Sequence, residues 1–218
     1  MTNQECKNTA LAALKGNWAP AVLATIVYFL VAIVLSGSAE VPFIATTASQ
    51  ALPWIEGVSF ALVILVIAPL AVGYANACRF LVDSNDREMT ANMFSVPLKN
   101  YLHIMWGYLL MTIKIFLWSL LFLIPGIIKS FSYAMAPYIL VEEPELSASQ
   151  AIKKSKEMMK GHKFDLFYLY LSFIGWFFLS LLTCCIGFFW LEPYAQCSVV
   201  AFYNDLKAQK AVSAVAEN

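Results

Sequence analysis

Three long stretches of this chain carry no charge. Residues 16–39, 57–78 and 166–191 each run without an Asp, Glu, Lys or Arg. Each is long enough to cross ~30 Å of hydrocarbon as a helix, which takes roughly 20 residues. The runs are continuously apolar rather than alternating, which counts against the strands of a membrane β-barrel. The pattern predicts three helical hairpins: 18–36 with 57–82, 101–124 with 127–141, and 164–185 with 188–204. Pro125-Gly126 breaks the second hairpin, because Pro removes a donor and Gly accepts turn geometry. Ile186-Gly187 plays the same part in the third.

Short amphipathic helices lead into these hairpins. The clearest is 147–161. Ser147 with Gln150 makes a capping box, and Gly161 suits a C-terminal cap. Ala148, Ala151, Ile152, Ser155, Met158 and Met159 fall on one stripe at helical spacing. Lys153, Lys154, Lys156, Glu157 and Lys160 cover the opposite face. Thr2 with Glu5, ending at Gly16, is a weaker version, and 87–99 is a third, interrupted by Pro97. Such helices either lie at the headgroup level of anionic lipid or pack against the protein's own cytoplasmic loops.

A unit recurs along the chain. Tyr74-Ala75-Asn76-Ala77-Cys78-Arg79-Phe80-Leu81-Val82-Asp83 matches the character of Tyr133-Ala134-Met135-Ala136-Pro137-Tyr138-Ile139-Leu140-Val141-Glu142 at Tyr, both Ala, Leu, Val and the final acid. A weaker copy begins at Tyr194-Ala195. Upstream, Ser119 and Gly126 match Ser180 and Gly187 at the same offset, and Leu14-Lys15-Gly16-Asn17 resembles Met159-Lys160-Gly161-His162. Such self-similarity implies one supersecondary unit reused. The expected fold is an all-α polytopic membrane helix bundle: six transmembrane helices as three hairpin repeats, with cytoplasmic amphipathic helices. It forms a single membrane domain over 1–218, with units of roughly 1–83, 84–142 and 143–206 and a polar tail at 207–218.

Composition sharpens this. Only 13% of the 218 residues are charged and 61% are hydrophobic, against about 25% charged in soluble domains. The net charge of zero gives no bias toward nucleic acid. The N-terminus does not read as a cleaved signal, since the apolar segment after it is long enough to stay in the bilayer. The basic residues set an orientation: in the six-crossing reading, 12 of the 14 Lys and Arg fall on one side, with Lys114 and Lys129 the exceptions. The positive-inside rule places that side, and both termini, in the cytoplasm. The loop 37–56 has no Lys or Arg and faces out. The arm 127–141 strains this reading, being about 22 Å as a helix. Either it packs inside the bundle or its turn lies below the outer surface.

Lys114 is the strongest candidate for a polar site, near mid-membrane, where a Lys usually faces a partner or a wet cavity. The alternative is that the helix lies flatter and Lys114 snorkels. Lys153, Lys154, Lys156, Lys160 and Lys163 are candidate headgroup contacts. Glu192 is a candidate partner for Lys129 near the outer turns. Asp83 and Glu142, equivalent in the repeat, could bind a cation, but acids at helix ends more often pair with nearby lysines. His103 and His162 stand alone, and the five cysteines have no metal or redox spacing. No phosphate loop, His-Glu-x-x-His or Gly-x-Ser-x-Gly is present, so neither catalytic residues nor a cofactor or metal are expected.

The run Leu117-Trp118-Ser119-Leu120-Leu121, Ile124-Pro125-Gly126-Ile127-Ile128-Lys129-Ser130 and Ser132-Tyr133-Ala134-Met135-Ala136 resembles the central signature of the bacterial "domain of unknown function 975" family of integral membrane proteins. So do Ala151-Ile152, Ser155-Lys156, Met159-Lys160-Gly161-His162-Lys163, Leu171-Ser172-Phe173-Ile174-Gly175-Trp176, Pro193-Tyr194 and Phe202-Tyr203. The likeness is dense over 115–206 and looser before it. The chain departs from the pattern at Cys184-Cys185 and Glu192. It is also distantly similar to the membrane segment fused to some glycerophosphodiester phosphodiesterases, though a phosphodiesterase barrel needs about 250 residues and the whole chain is shorter. The resemblance implies the fold and a membrane location and carries over no catalytic residue. The expected role is non-enzymatic: binding membrane lipids, anionic ones in particular, or a membrane-protein partner, and scaffolding or regulating it. The alternative is a small-solute or lipid permease with Lys114 in the pathway.

Overall fold

The computed structural model describes residues 2–37, 54–84, 88–121, 123–183 and 186–216. Among these residues every regular element is a helix: α1 (Asn3–Leu14), α2 (Trp18–Gly37), α3 (Trp54–Ser84), α4 (Met89–Lys99), α5 (Tyr101–Leu121), α6 (Leu123–Tyr133), α7 (Ala136–Glu142), α8 (Ala148–Met158), α9 (Lys163–Leu171), α10 (Ile174–Leu182) and α11 (Phe188–Ala216). Residues 38–53 of the loop expected outside, and Cys184-Cys185, lie beyond the described residues. Among the described residues three stretches are long and apolar enough to cross a membrane: Leu65–Ser84, Tyr101–Ser119 and Lys163–Leu182. Asn3–Leu14 with Trp18–Ile33 is a fourth if one span can contain its 98° bend. Among the described residues the structure is therefore all-helical with three to four candidate membrane spans.

The helices α3 and α11 form the centre. Both touch α1 and α2 and each other, α3 also packs on α4, α5 and α7, and α11 also packs on α8, α9 and α10. Small residues make this possible. Ala75, Cys78, Cys197 and Ala201 are all buried, and small side chains let helix backbones approach where no hydrophobic effect drives them together. Cys78 and Cys197 meet as free thiols.

The structure moves several boundaries. Pro125-Gly126 does not break the chain: α6 begins at Leu123 and runs through both. Pro125 sits in the first turn of α6, where its missing N–H would have no helical partner anyway. The arm expected at 127–141 becomes two short helices, α6 and α7, with Pro137 in the first turn of α7. From Leu123 to Glu142 it counts about 20 residues, roughly 30 Å if straight. The third hairpin bends at Ser172 and Phe173. Pro97 does not interrupt α4, whose Met89 and Met93 are fully buried. The stretch expected as a polar tail continues α11 to Ala216.

Two matched pairs in the sequence adopt matched geometry. A Cβ on Gly126 would stand 2.9 Å from the Ser119 Cα, and one on Gly187 would stand 2.8 Å from the Ser180 Cα. Only glycine permits these approaches. Gly16 and Gly161, after α1 and α8, both take positive φ, 86° and 94°, the left-handed region that ends helices.

Candidate functional site

The helix α8 forms as its sequence predicts. Both bonds of the capping box are made: Gln150 N–H donates to Ser147 Oγ at 3.4 Å, and Ser147 N–H donates to Gln150 Oε1 at 2.8 Å. All six residues of the apolar stripe are buried. The stripe packs on protein, with α5, α6, α7 and α11 as neighbours, and Ser155 Oγ donates to the Ser132 carbonyl at 3.0 Å. The stripe is thus covered by the chain itself and not free to enter lipid.

The opposite face stays open. Lys153, Lys156 and Lys160 are exposed, and Lys154 and Lys163 are half-buried. Lys154 pairs with Glu143. Among the described residues, Lys153, Lys156, Lys160 and Lys163 make no ion pair. A groove of about 330 Å³ runs beside α8, lined by Leu146, Gln150, Lys153, Lys154, Glu157 and Lys210. Lys129 does not meet Glu192. Its Nζ lies 4.4 Å over the Trp118 ring, a cation–π contact, and Lys156 and Lys163 are within electrostatic reach of it. Lys129 therefore belongs to the same basic surface. Glu192 instead accepts from Gln196 Nε2 at 3.3 Å. His162 Nδ1 lies 3.0 Å from Asp165 Oδ2.

A second cluster joins the ends of the repeated unit. Asp83 and Glu142 hold its tenth position in the first two copies; counting from Tyr194, the third has Tyr203. The structure brings all three together. Tyr203 Oη donates to Glu142 Oε2 at 2.5 Å, and Lys207 Nζ donates to Glu142 Oε1 at 2.5 Å. Arg79 stands between the acids, Nε 3.5 Å from Asp83 and Nη2 3.9 Å from Glu142. Asn204 Nδ2 donates to Asp83 Oδ1 at 2.6 Å. Burial opposes the charge on Glu142, but the Lys207 and Tyr203 hydrogen bonds and the Arg79 charge outweigh it, so its carboxyl is held below the usual range. The acids that the sequence offered as cation ligands thus already face the protein's own cations. Tyr203 was legible only through the register of the weak third copy.

Lys114 is half-buried midway along α5. Among the described residues it has neither a hydrogen bond nor an ion pair. Nearby lies a cavity of about 230 Å³ where α3, α5, α6, α7, α9 and α11 converge. Tyr108, Tyr133, Tyr138 and Tyr170 line it with Ser130 and Gln196, but Lys114 does not. A larger apolar cavity, about 450 Å³, lies between α1, α10 and α11, with Trp18, Trp176 and Trp190 in its wall.

No curated protein and no solved structure gives a significant match, so the likeness to phosphodiesterase membrane segments gains no support from them. One family model matches over residues 1–130 and 120–210, two overlapping segments that cover nearly the whole chain. The chain belongs to the family described as "protein of unknown function (DUF975)".

Proposed function

We propose that this is a non-enzymatic protein of the bacterial cytoplasmic membrane, which binds anionic lipid headgroups on a basic cytoplasmic face and scaffolds or regulates a membrane-protein partner. The observation that carries this is the set of lysines without an ion pair among the described residues: Lys129, Lys153, Lys156, Lys160 and Lys163. Lysines near an anionic leaflet contribute about 1 kcal/mol each. Because the apolar stripe of α8 is buried in the protein, this helix acts as a rigid mount for charges rather than as an inserting wedge.

The topology proposed with it is six apolar segments in three hairpin repeats, both termini cytoplasmic. The one-sided lysines support it, whereas Lys129, beside Lys156 and Lys163 soon after the tip of the second hairpin, favours a second hairpin that does not cross fully. The matched Ser–Gly contacts at 119/126 and 180/187 support reuse of one hairpin. The alternative, a permease with Lys114 in its path, has less behind it, since Lys114 does not line the tyrosine cavity. The test is native mass spectrometry of the full-length protein with phosphatidylglycerol or phosphatidylcholine. Wild type should retain phosphatidylglycerol preferentially, and the quadruple variant Lys153→Gln, Lys156→Gln, Lys160→Gln, Lys163→Gln should lose that preference. Equal retention of the two lipids by wild type would overturn the reading.

A further inference from the structure

We propose that the tyrosine-lined cavity is a binding site for a small organic ammonium group. Four phenol rings line it, Tyr108, Tyr133, Tyr138 and Tyr170, contributed by α5, α6, α7 and α9. Aromatic faces attract cations through the ring quadrupole, and rings gathered around one space recognise alkylammonium groups. Tyr133 and Tyr138 are each 5% exposed, so they form a fixed wall. Gln196 lines the cavity from α11, with its Oε1 3.5 Å from Tyr138 Oη and its Nε2 3.3 Å from Glu192 Oε1.

The charge behind the wall selects the ligand's sign. Glu192 lies one helical turn from Gln196 and within electrostatic reach of Tyr138 and Tyr170. No Lys or Arg among the described residues pairs with it. Around it stand neutral groups, Tyr28 from α2 and Tyr74 and Cys78 from α3. An ammonium group in the cavity would stabilise the ionised form of the Glu192 carboxyl, which gives a cation an advantage over a neutral ligand of the same size. Among the described residues no Lys or Arg lines the cavity. At about 230 Å³ the space is below the ~300–1,000 Å³ of sites for larger ligands. That size suits a headgroup-sized amine, whether carried on a lipid or free in solution.

The site does not depend on the lipid reading of the basic face and is tested separately. Ethanolammonium chloride and tetramethylammonium chloride would be titrated calorimetrically into the full-length protein in a neutral maltoside micelle. The expected result is saturable binding of at least one of them, weakened about tenfold or more by Glu192→Gln and by Tyr138→Leu, and unchanged by Lys114→Gln. Gln196→Leu stands in for any variant that fails to fold. Native mass spectrometry with phosphatidylethanolamine against phosphatidylglycerol separates the sources: Glu192-dependent retention of the former marks a lipid headgroup, and its absence beside binding of the free amine marks a soluble ligand. Absence of saturable binding of both cations to wild type would overturn the proposal, as would affinities indifferent to Glu192→Gln, or sodium phosphate binding in their place.

Discussion

Glu142 makes more charged contacts than any other acid described here, and its consequences are measurable. Replacing it by Gln leaves Arg79, which is 14% exposed at its side chain, without its cross-helix acid, and weakens two short hydrogen bonds. Bonds to charged groups contribute about 1.5–3 kcal/mol, and a loss of that order is expected for Glu142→Gln in thermal unfolding in micelles. The pH dependence has a definite sign. The folded carboxyl titrates below its ordinary value of 4.5, so its contribution is complete above that value and fades as pH falls through the folded one. The melting temperatures of wild type and Glu142→Gln should differ most near neutrality and converge as pH drops below 4.5. Lys114 is the contrasting residue: half-buried, without an ion pair among the described residues, and with a repeat equivalent, Gly175, that faces open space. Lys114→Leu should leave the melting temperature unchanged or raised, because an intramembrane Lys costs about 2.5–3.5 kcal/mol on insertion scales. A marked fall would reveal a buried acid that depends on it.

Elements differ in how plainly the sequence writes them. The helix α8 is the clearest: Ser147, Gln150 and the six-residue stripe are local signals, and each does in the structure what it predicts. What the stripe meets is not local: the sequence leaves lipid and protein equal, and the bond from Ser155 to the Ser132 carbonyl decides for protein. Prolines misled where position outweighs identity. Pro97 and Pro125 read as breaks, yet Pro125 occupies a first turn that needs no N–H, and α4 runs through Pro97 on the strength of its buried methionines. The Ser–Gly contacts are the element-scale test. Gly126→Ala and Gly187→Ala each push a Cβ onto a serine backbone atom, and overpacking of this kind costs about 1–3 kcal/mol. Both should lower thermal stability to similar extents. The effect should persist in a Ser119→Ala or Ser180→Ala background, because the Cα is part of the clash.

At the scale of the molecule, composition and uncharged runs were enough for an all-helical membrane chain, but not for its cavities. The tyrosine cavity draws on six helices, and nothing in the spacing of Tyr108, Tyr133, Tyr138 and Tyr170 announces that they share a wall. The side on which the basic face lies is open to direct measurement. In a cysteine-free background, single cysteines at Ser149 or Ala208 should react with an impermeant thiol reagent only after cells are permeabilised, and cysteines within 37–56 should react in intact cells. Labelling at Ala208 from outside would remove the proposed orientation.

The cluster of Asp83, Glu142 and Tyr203 has a mechanical meaning as well. It fastens the C-terminal ends of α3 and α7 to the middle of α11, with bonds much stronger than the dispersion contacts along the rest of their length. Two rods riveted by their tips to the middle of a third can swing at their free ends without breaking the rivet. Any widening of this bundle should therefore pivot about Glu142, and the helix ends farthest from it should travel most.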